Sequence, residues 1–485
     1  MDIQTERNEP WRVELRNSMK AKERADIPRV HMPELNPEYR SHNNEEVNRG
    51  LTAEMAMLEA KRCLDCANPT CMQGCPVGVK IPKFVKNIER GDFLAAAQAM
   101  KETSALPAVC GRVCPQEKQC ESQCVHLKMK KEAVAIGYLE RFAADYERES
   151  GNISIPICDA PNGIKIGVVG SGPAGLSFAG AMAKLGYSVT VFEALHQIGG
   201  VLKYGIPEFR LPNTIVDVEI ENLRKMGVEF LNNCIVGKTI SLDQLKEEGF
   251  KGLFVGSGAG LPRFMNIKGE NLIGVMSANE YLTRVNLMDA ANPESDTPVL
   301  NGKNIAIIGG GNTAMDGVRT ARRMGAEHAM IVYRRSEEEM PARVEEIKHA
   351  KEEGVEFLTL HNPIEYIGDE KGRVKKMVLQ VMELGEPDAS GRRSPVEVKG
   401  KTITKDVDLV IVSVGVSPNP LIPQAIQGLN VSKWGTVMVN NDTMQSDIPM
   451  IFAGGDIVRG GATVILAMGD GRRAAASMDS WLKEQ

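Results

Sequence analysis

Two stretches of this chain carry the same pattern of apolar and polar positions. IKIGVVGSGPAGLSFAGAMAKLGYSVTVFEA begins with an apolar run, Ile164–Val169, passes a glycine-rich turn, continues with apolar residues at helical spacing and ends in a second apolar run. NIAIIGGGNTAMDGVRTARRMGAEHAMIVYRR repeats this from Asn304–Ile308. Short apolar runs bounded by glycine predict buried strands, and the 3.6-residue period between them predicts a helix. One strand–turn–helix–strand unit thus occurs twice, a duplication rather than a short repeat. The second unit, with its continuation to about Val414, reads as inserted in the first domain, to which the tail returns.

Upstream the period is helical throughout. TAEMAMLEAKRC runs on from Thr52, Ile81 to Glu89 has Pro82 in a first-turn position, and Asp92 is placed to cap a helix through Met100. VAIGYLERFAADYERE predicts a further amphipathic helix. Residues 1 to about 40 are polar with scattered prolines and predict an extended arm.

Eight of the ten cysteines fall in this helical region. They follow C-x2-C-x4-C-x3-C-P (Cys63, Cys66, Cys71, Cys75) and C-x3-C-P-x4-C-x3-C (Cys110, Cys114, Cys120, Cys124). Clustered thiols without a secretory signal suggest metal ligation over disulfides. A Cys-Pro step resembles the end of a cluster-binding run, which favours iron–sulfur clusters; two structural zinc sites are the alternative.

The first glycine-rich turn is Gly170-Ser171-Gly172-Pro173-Ala174-Gly175. It permits a tight turn, close approach of a pyrophosphate and close helix–strand packing, with Glu193 placed for a ribose. Gly199, Gly200 and Leu202, the turn Ser257-Gly258-Ala259, and Gly455-Asp456 with a helix starting near Thr463 and Val464 make the expected dinucleotide FAD. The second turn is Gly309-Gly310-Gly311-Asn312-Thr313-Ala314, with Asp316 one helical turn on. The strand after it ends in Arg334-Arg335 where an acid would mark NAD, so NADPH is preferred to NADH.

The remaining composition adds exclusions. At 485 residues, several domains are expected. A net charge of −5 gives no reason to expect nucleic acid or an anionic membrane as partner. No apolar run approaches the roughly 18 residues of a spanning helix, and the N-terminus has no signal-peptide h-region; the expected location is the cytoplasm. The seven histidines lack ligand spacing. Cys158 and Cys234 are expected to be buried inert thiols, and no C-x-x-C in either nucleotide unit supports a flavin–disulfide relay.

The cysteine motifs, AVCGRVCPQEKQCESQC, VVGSGPAGLS, IIGGGNTAMD, YRRSEEEMPA and FAGGDI together resemble the small (beta) subunit family of NADPH-dependent glutamate synthase. Dihydropyrimidine dehydrogenase (N-terminal half) and the electron-bifurcating ferredoxin:NADP oxidoreductase (large subunit) are relatives. The resemblance runs from about Thr52 to the C-terminus. It implies an α/β protein: an all-α module with two [4Fe-4S] clusters, then two Rossmann-like domains, the NADPH domain inserted in the FAD domain. The expected boundaries are 1–160 with the arm, 161–295, 296–425 and 426–485. One cluster would take Cys63, Cys66, Cys71 and Cys124. The other would take Cys75, Cys114, Cys120 and a non-cysteine ligand, Glu140, leaving Cys110 free; spacing alone equally allows four cysteines each. The chain would carry electrons from NADPH to an FMN-containing large subunit that makes L-glutamate from 2-oxoglutarate and glutamine, because this sequence shows no N-terminal cysteine nucleophile and no spare length for an FMN barrel. The large subunit of a bifurcating NADH-dependent ferredoxin:NADP oxidoreductase is the second reading.

Overall fold

The computed structural model describes residues 3–485. Helices Ala53–Lys61, Ile81–Glu89, Phe93–Lys101, Pro107–Val113 and Ile136–Ser150 build the cysteine module. Their starts are specified locally: the Thr52 hydroxyl accepts the Met55 N–H, the Asp92 carboxylate accepts the Ala95 N–H, and Pro82 sits in a first turn. Helices Pro107–Val113 and Ile136–Ser150 cross at Gly111, where a Cβ would lie 2.5 Å from the Arg141 backbone nitrogen. Phe84, Ile88, Val109 and Leu139 share one apolar core with Ile166, Leu176 and Phe178 of the first nucleotide unit.

The expected extended arm is instead helical in pieces: Ile3–Arg7, Pro10–Asn17, Ala21–Asp26 and Pro37–Arg40. Apolar periodicity does not hold these pieces down, which is why it did not reveal them. Buried ion pairs do. Arg12 and Arg16 grip Asp65, Arg24 meets Glu89 at 2.8 Å, and Arg40 meets Glu353 at 3.0 Å.

Fifteen strands follow. They are β1 (Lys165–Val169), β2 (Ser188–Phe192), β3 (Glu229–Leu231), β4 (Phe250–Val255), β5 (Leu261–Pro262), β6 (Val275–Ser277), β7 (Asn304–Ile308) and β8 (His328–Tyr333). The rest are β9 (Glu356–Thr359), β10 (His361–Gly368), β11 (Val374–Pro387), β12 (Arg393–Asp406), β13 (Leu409–Val412), β14 (Val416–Ser417) and β15 (Ile451–Ala453). One parallel sheet has the order β15-β4-β1-β2-β3 and the other β6-β13-β7-β8-β9. The two orders superimpose strand for strand except in origin of the edge: β15 returns from the C-terminus, whereas β6 precedes its unit. Burial on both faces explains why β1, β4, β7 and β13 read as continuous apolar runs.

Strand β6 and the helix after it, Ala278–Leu282, lie in the second sheet's unit, upstream of the expected opening at 296. The chain leaves the first unit at β5 and returns beside it at β14, the two pairing antiparallel. Two apolar residues in the three-residue β6 carry too little periodicity to be seen in the sequence. Strands β10, β11 and β12 form an antiparallel ribbon on the second unit. The final helix, Val464–Lys483, packs along helix Pro173–Lys184 so closely that a Cβ on Gly471 would lie 2.2 Å from the Ala174 carbonyl oxygen.

Candidate functional site

The first cysteine set gathers around the loop after helix Ala53–Lys61. Asp65, between Cys63 and Cys66, has φ +49° and no exposure. Its carboxylate pairs with Arg12 and Arg16, and its carbonyl accepts from Arg7 at 2.8 Å. The N-terminal helices therefore clamp this loop. Lys86 donates to the Cys63 carbonyl at 2.6 Å. Burial pushes the Cys63 thiol up to about 12. Burial also raises Cys71, followed by the proximity of Cys63, Cys124 and Cys66. These four form one electrostatic group.

Cys75, Cys114, Cys120 and Glu140 line one cavity, along with Phe84, Gln116 and Ile465. Glu140, on helix Ile136–Ser150, is 8% exposed. Burial and then Glu219 push its carboxyl up to about 8, and no hydrogen bond or cation offsets this. A buried acid among thiols, without a cation of its own, suits ligation. Cys110 stands outside the cavity, its Sγ 3.5 Å from Met468 Sδ.

A single zinc bound at about 2.3 Å needs its sulfurs about 3.8 Å apart. Among the described residues the only set of three or more metal-ligating side chains with donor atoms within 4.8 Å of one another is Glu34, His349 and Glu352. Among the described residues no set of cysteines meets that spacing.

The first glycine-rich turn lies between β1 and helix Pro173–Lys184. Gly170 has φ +94°, and a Cβ there would lie 2.7 Å from the Gly256 carbonyl oxygen. Glu193 accepts from Ser171 N–H (2.9 Å), Ser171 Oγ (2.6 Å) and Leu195 N–H (2.8 Å), while Gly199 N–H donates to Ser171 Oγ at 2.9 Å. Glu193 thus also holds the turn. Gly200, with φ +54°, crosses Gly172, and Leu202 is wholly buried beneath.

Several features at this turn fit a dinucleotide. Gly172 caps its helix with no side-chain acceptor, leaving backbone donors for a pyrophosphate. A Cβ on Gly172 or Gly258 would meet nothing within 4 Å, and Ser257 Oγ is buried without a partner, next to buried Ala259. Gly455 N–H donates to Asp470 at 3.0 Å. Burial pushes Asp456 up to about 6. Thr463 caps helix Val464–Lys483 by accepting the Leu466 N–H. Tyr204, raised to about 12 by burial, then by Asp456 and Glu193, stands between these two acids; no motif points to it.

The second turn repeats the first. Gly309 has φ +147° and a Cβ there would lie 2.3 Å from the Ser413 carbonyl oxygen; Gly311 is open. Helix Asn312–Arg323 also starts without a side-chain cap; Thr313 is exposed and Ala314 buried. Asn312 is engaged, accepting the Arg343 N–H at 2.9 Å.

Two expected contacts are differently placed. Asp316 does not face the turn as a free acid: Arg210 Nη1 donates to both of its carboxylate oxygens, at 2.6 and 2.7 Å. Of the arginine pair, only Arg334 is exposed without an ion pair among the described residues. Arg335 is 6% exposed, bonded to Asp388 at 2.6 Å and to the Arg393 carbonyl at 2.8 Å, both contributed by the β11–β12 ribbon. A ribbon tip packed over β8 could not be read from local spacing.

Contacts between the units were also missed. Arg343 donates to the Arg112 carbonyl and to Gln116 Oε1, and Lys118 donates to the Pro341 carbonyl at 3.0 Å, so the second nucleotide unit touches the Cys114 loop directly. Arg210, Arg319, Arg323 and Arg40 meet Glu346 and Glu353 in a buried network over Phe209. All ten cysteines are free; Cys158 and Cys234 are half-buried rather than fully buried.

Paired parallel sheets with glycine-rich turns, joined to a cysteine-lined helical module, define a flavin-type pyridine-nucleotide oxidoreductase with an iron–sulfur head. Residues 40–152 match the family described as dihydropyrimidine dehydrogenase domain II, 4Fe-4S cluster, and residues 164–471 match pyridine nucleotide-disulphide oxidoreductase. Glutamate synthase [NADPH] small chain of Escherichia coli is 35% identical, over 94% of this chain and 98% of its own. NADPH-Fe(3+) oxidoreductase subunit beta of Geobacter sulfurreducens is 34% identical, over 91% of this chain and 68% of its own. In fold, Mycobacterium tuberculosis FprA in complex with NADPH is similar, with a TM-score of 0.55 and 20% identity over 66% of this chain and 85% of its own. The chain belongs to the glutamate synthase small-chain family of iron–sulfur pyridine-nucleotide oxidoreductases. No described helix is long and apolar enough to cross a membrane.

Proposed function

We propose that this chain oxidises NADPH and delivers the electrons, by way of FAD and two [4Fe-4S] clusters, to a partner subunit in the cytoplasm. The favoured partner is an FMN-containing large glutamate synthase subunit, which forms L-glutamate from 2-oxoglutarate and glutamine. Bound in this chain, FAD would supply hydride acceptance and the clusters one-electron transfer, chemistry that belongs to the cofactors. The protein holds, orients and insulates.

The observation that carries the reading is the position of Ile465. It lines the cavity of Cys75, Cys114, Cys120 and Glu140, two residues beyond Thr463 at the expected flavin edge. One helix start therefore serves both sites. Gly170 to Gly175 and Glu193 cradle one dinucleotide; Gly309 to Ala314 and Arg334 receive the other, with Arg334 on the 2′-phosphate. The helix N-terminus at Thr463 stabilises negative charge near the flavin pyrimidine. Proposed domains are an all-α module to about residue 160, an FAD unit in two pieces, and an NADPH unit between β5 and β14.

The test is anaerobic rapid mixing with NADPH. Cys63→Ala is expected to leave flavin bleaching intact and to abolish reduction of the partner. Unchanged partner reduction refutes the assignment. Affinity capture from native extract names the partner: a very large glutaminase/FMN subunit supports glutamate synthesis. A small flavin and [2Fe-2S] subunit supports the bifurcating ferredoxin:NADP oxidoreductase instead.

A further inference from the structure

A cavity of about 250 Å³ opens where the cysteine module meets the first nucleotide unit. It lies against the second half of helix Pro173–Lys184, helix Asn213–Lys225 and helix Val464–Lys483. No residue assigned above to a dinucleotide or a cluster lines it.

Its walls hold unpaired charge. Lys184 donates only to the backbone carbonyls of Lys101 (2.7 Å) and Glu102 (3.5 Å), and Arg472 only to the Thr103 carbonyl (2.7 Å). Neither forms an ion pair among the described residues. Burial and the nearby Arg472 lower the Lys184 pKa, and burial lowers that of Arg472. The two carboxylates of the lining do not answer them. Glu102 is taken by Lys80 and Lys83, while Glu219 accepts the Ala108 N–H at 2.8 Å and is pushed up to about 7 by burial.

The walls also hold unpaired neutral groups. Thr103 Oγ1, Ser104 Oγ and Asn222 Oδ1 are buried without hydrogen-bond partners. Ser104 is 1% and Asn222 7% exposed. Three such groups share the walls of this one cavity, within reach of a bound polar molecule. Of the remaining wall, Lys101 is paired with Glu147 and Ser177 donates to the Met468 carbonyl, while Ala181, Leu223, Met226, Ala475 and Ala476 are apolar.

We propose that this cavity binds a small aliphatic 2-hydroxy- or 2-amino-carboxylate. Its carboxylate sits between Lys184 and Arg472 and accepts from the Thr103 and Ser104 hydroxyls. Its hydroxyl or ammonium donates to Asn222 Oδ1, and its alkyl chain lies on Leu223 and Met226. Two cations without ion pairs and two hydroxyls suit an anion, and the unpartnered Asn222 Oδ1 suits a donor beside it.

The test is calorimetric titration of the cofactor-loaded full chain with four probes: 2-hydroxyvalerate, norvaline, valerate and inorganic phosphate. The first or second is expected to bind at least about tenfold more tightly than valerate, the worth of one hydrogen bond, and phosphate not at all. Ala181→Phe, which fills the cavity, is expected to abolish binding. Ser104→Ala is expected to weaken it about tenfold without lowering the thermal midpoint of the ligand-free protein. No binding of any organic probe at about 10 mM, a ceiling already weaker than metabolite affinities, overturns the proposal. Binding of phosphate alone, equal binding of valerate, or binding indifferent to both substitutions also overturns it.

Discussion

Gly469 presses against Pro76 so closely that a Cβ on it would lie 3.0 Å from both the Pro76 Cβ and the Pro76 carbonyl oxygen. Pro76 follows Cys75, and Gly469 lies on the helix that Thr463 caps at the expected flavin edge. The close approach of the Cys75 loop to this helix therefore depends on the absence of one side chain. Gly469→Val introduces overpacking worth about 1–3 kcal/mol. It is expected to lower stability by that amount and to slow NADPH-driven cluster reduction while flavin reduction keeps its rate. Rapid-scan absorbance of both chromophores checks this, and equal rates for the cluster bands in variant and parent contradict it.

Glu140 gives a sharper test of the ligand set. Replacing it with alanine removes the only carboxylate that lines the cavity of these three thiols. The expected result is loss or a changed electron paramagnetic resonance signal of one cluster, with the other cluster and the flavin retained. Glu140→Cys is expected to restore a cluster with a more ordinary all-thiolate signal. Unaltered spectra in both variants would mean that the carboxylate is not a ligand.

The two arginines after β8 are expected to separate. Arg334 is exposed and forms no ion pair among the described residues, whereas Arg335 is buried against Asp388. Arg334→Ala removes a charge-assisted contact of about 1.5–3 kcal/mol, so kcat/KM for NADPH falls by about ten- to a hundredfold and that for NADH barely changes. Arg335→Ala mainly loosens the ribbon tip and lowers thermal stability. Steady-state kinetics with both nucleotides decides the matter; a greater loss of NADPH preference in the Arg335 variant reverses the assignment.

Much of this was legible because its physics is local. The turns at Gly170 and Gly309 need φ values and close approaches that only glycine tolerates, so they announce themselves in the sequence. The same holds for Asp92 and Thr52, which cap their own helices. The failures are all long-range. Arg12 and Arg16 fold the arm by meeting Asp65, some 50 residues away, and Asp388 reaches Arg335 across the β11–β12 ribbon. Strand β6 joins a sheet whose other members all come later. Partners of that kind leave no spacing to detect.

Arg40 and Glu353 illustrate what such a distant contact does, and they make the final prediction. Glu353 is wholly buried; burial would raise its pKa, but Arg319 and Arg323 outweigh it and hold it down to about 2. Arg40, from the last helix of the arm, meets the same carboxylate. A depressed carboxylate stabilises above its unfolded pKa, near 4.3, and loses that contribution as pH falls toward its folded value. The gap of about two units corresponds to about 3 kcal/mol, similar to the 3–5 kcal/mol cost of breaking a buried pair. Glu353→Gln is therefore expected to lower unfolding stability by about 3 kcal/mol at pH 7, with faster amide exchange in Pro37–Arg40. The difference from the parent narrows between about pH 4.5 and pH 2, because only the parent has the contribution to lose. Denaturant unfolding of both proteins at several pH values measures it; a difference that stays constant as the pH falls would show that the carboxylate charge is not what docks the arm.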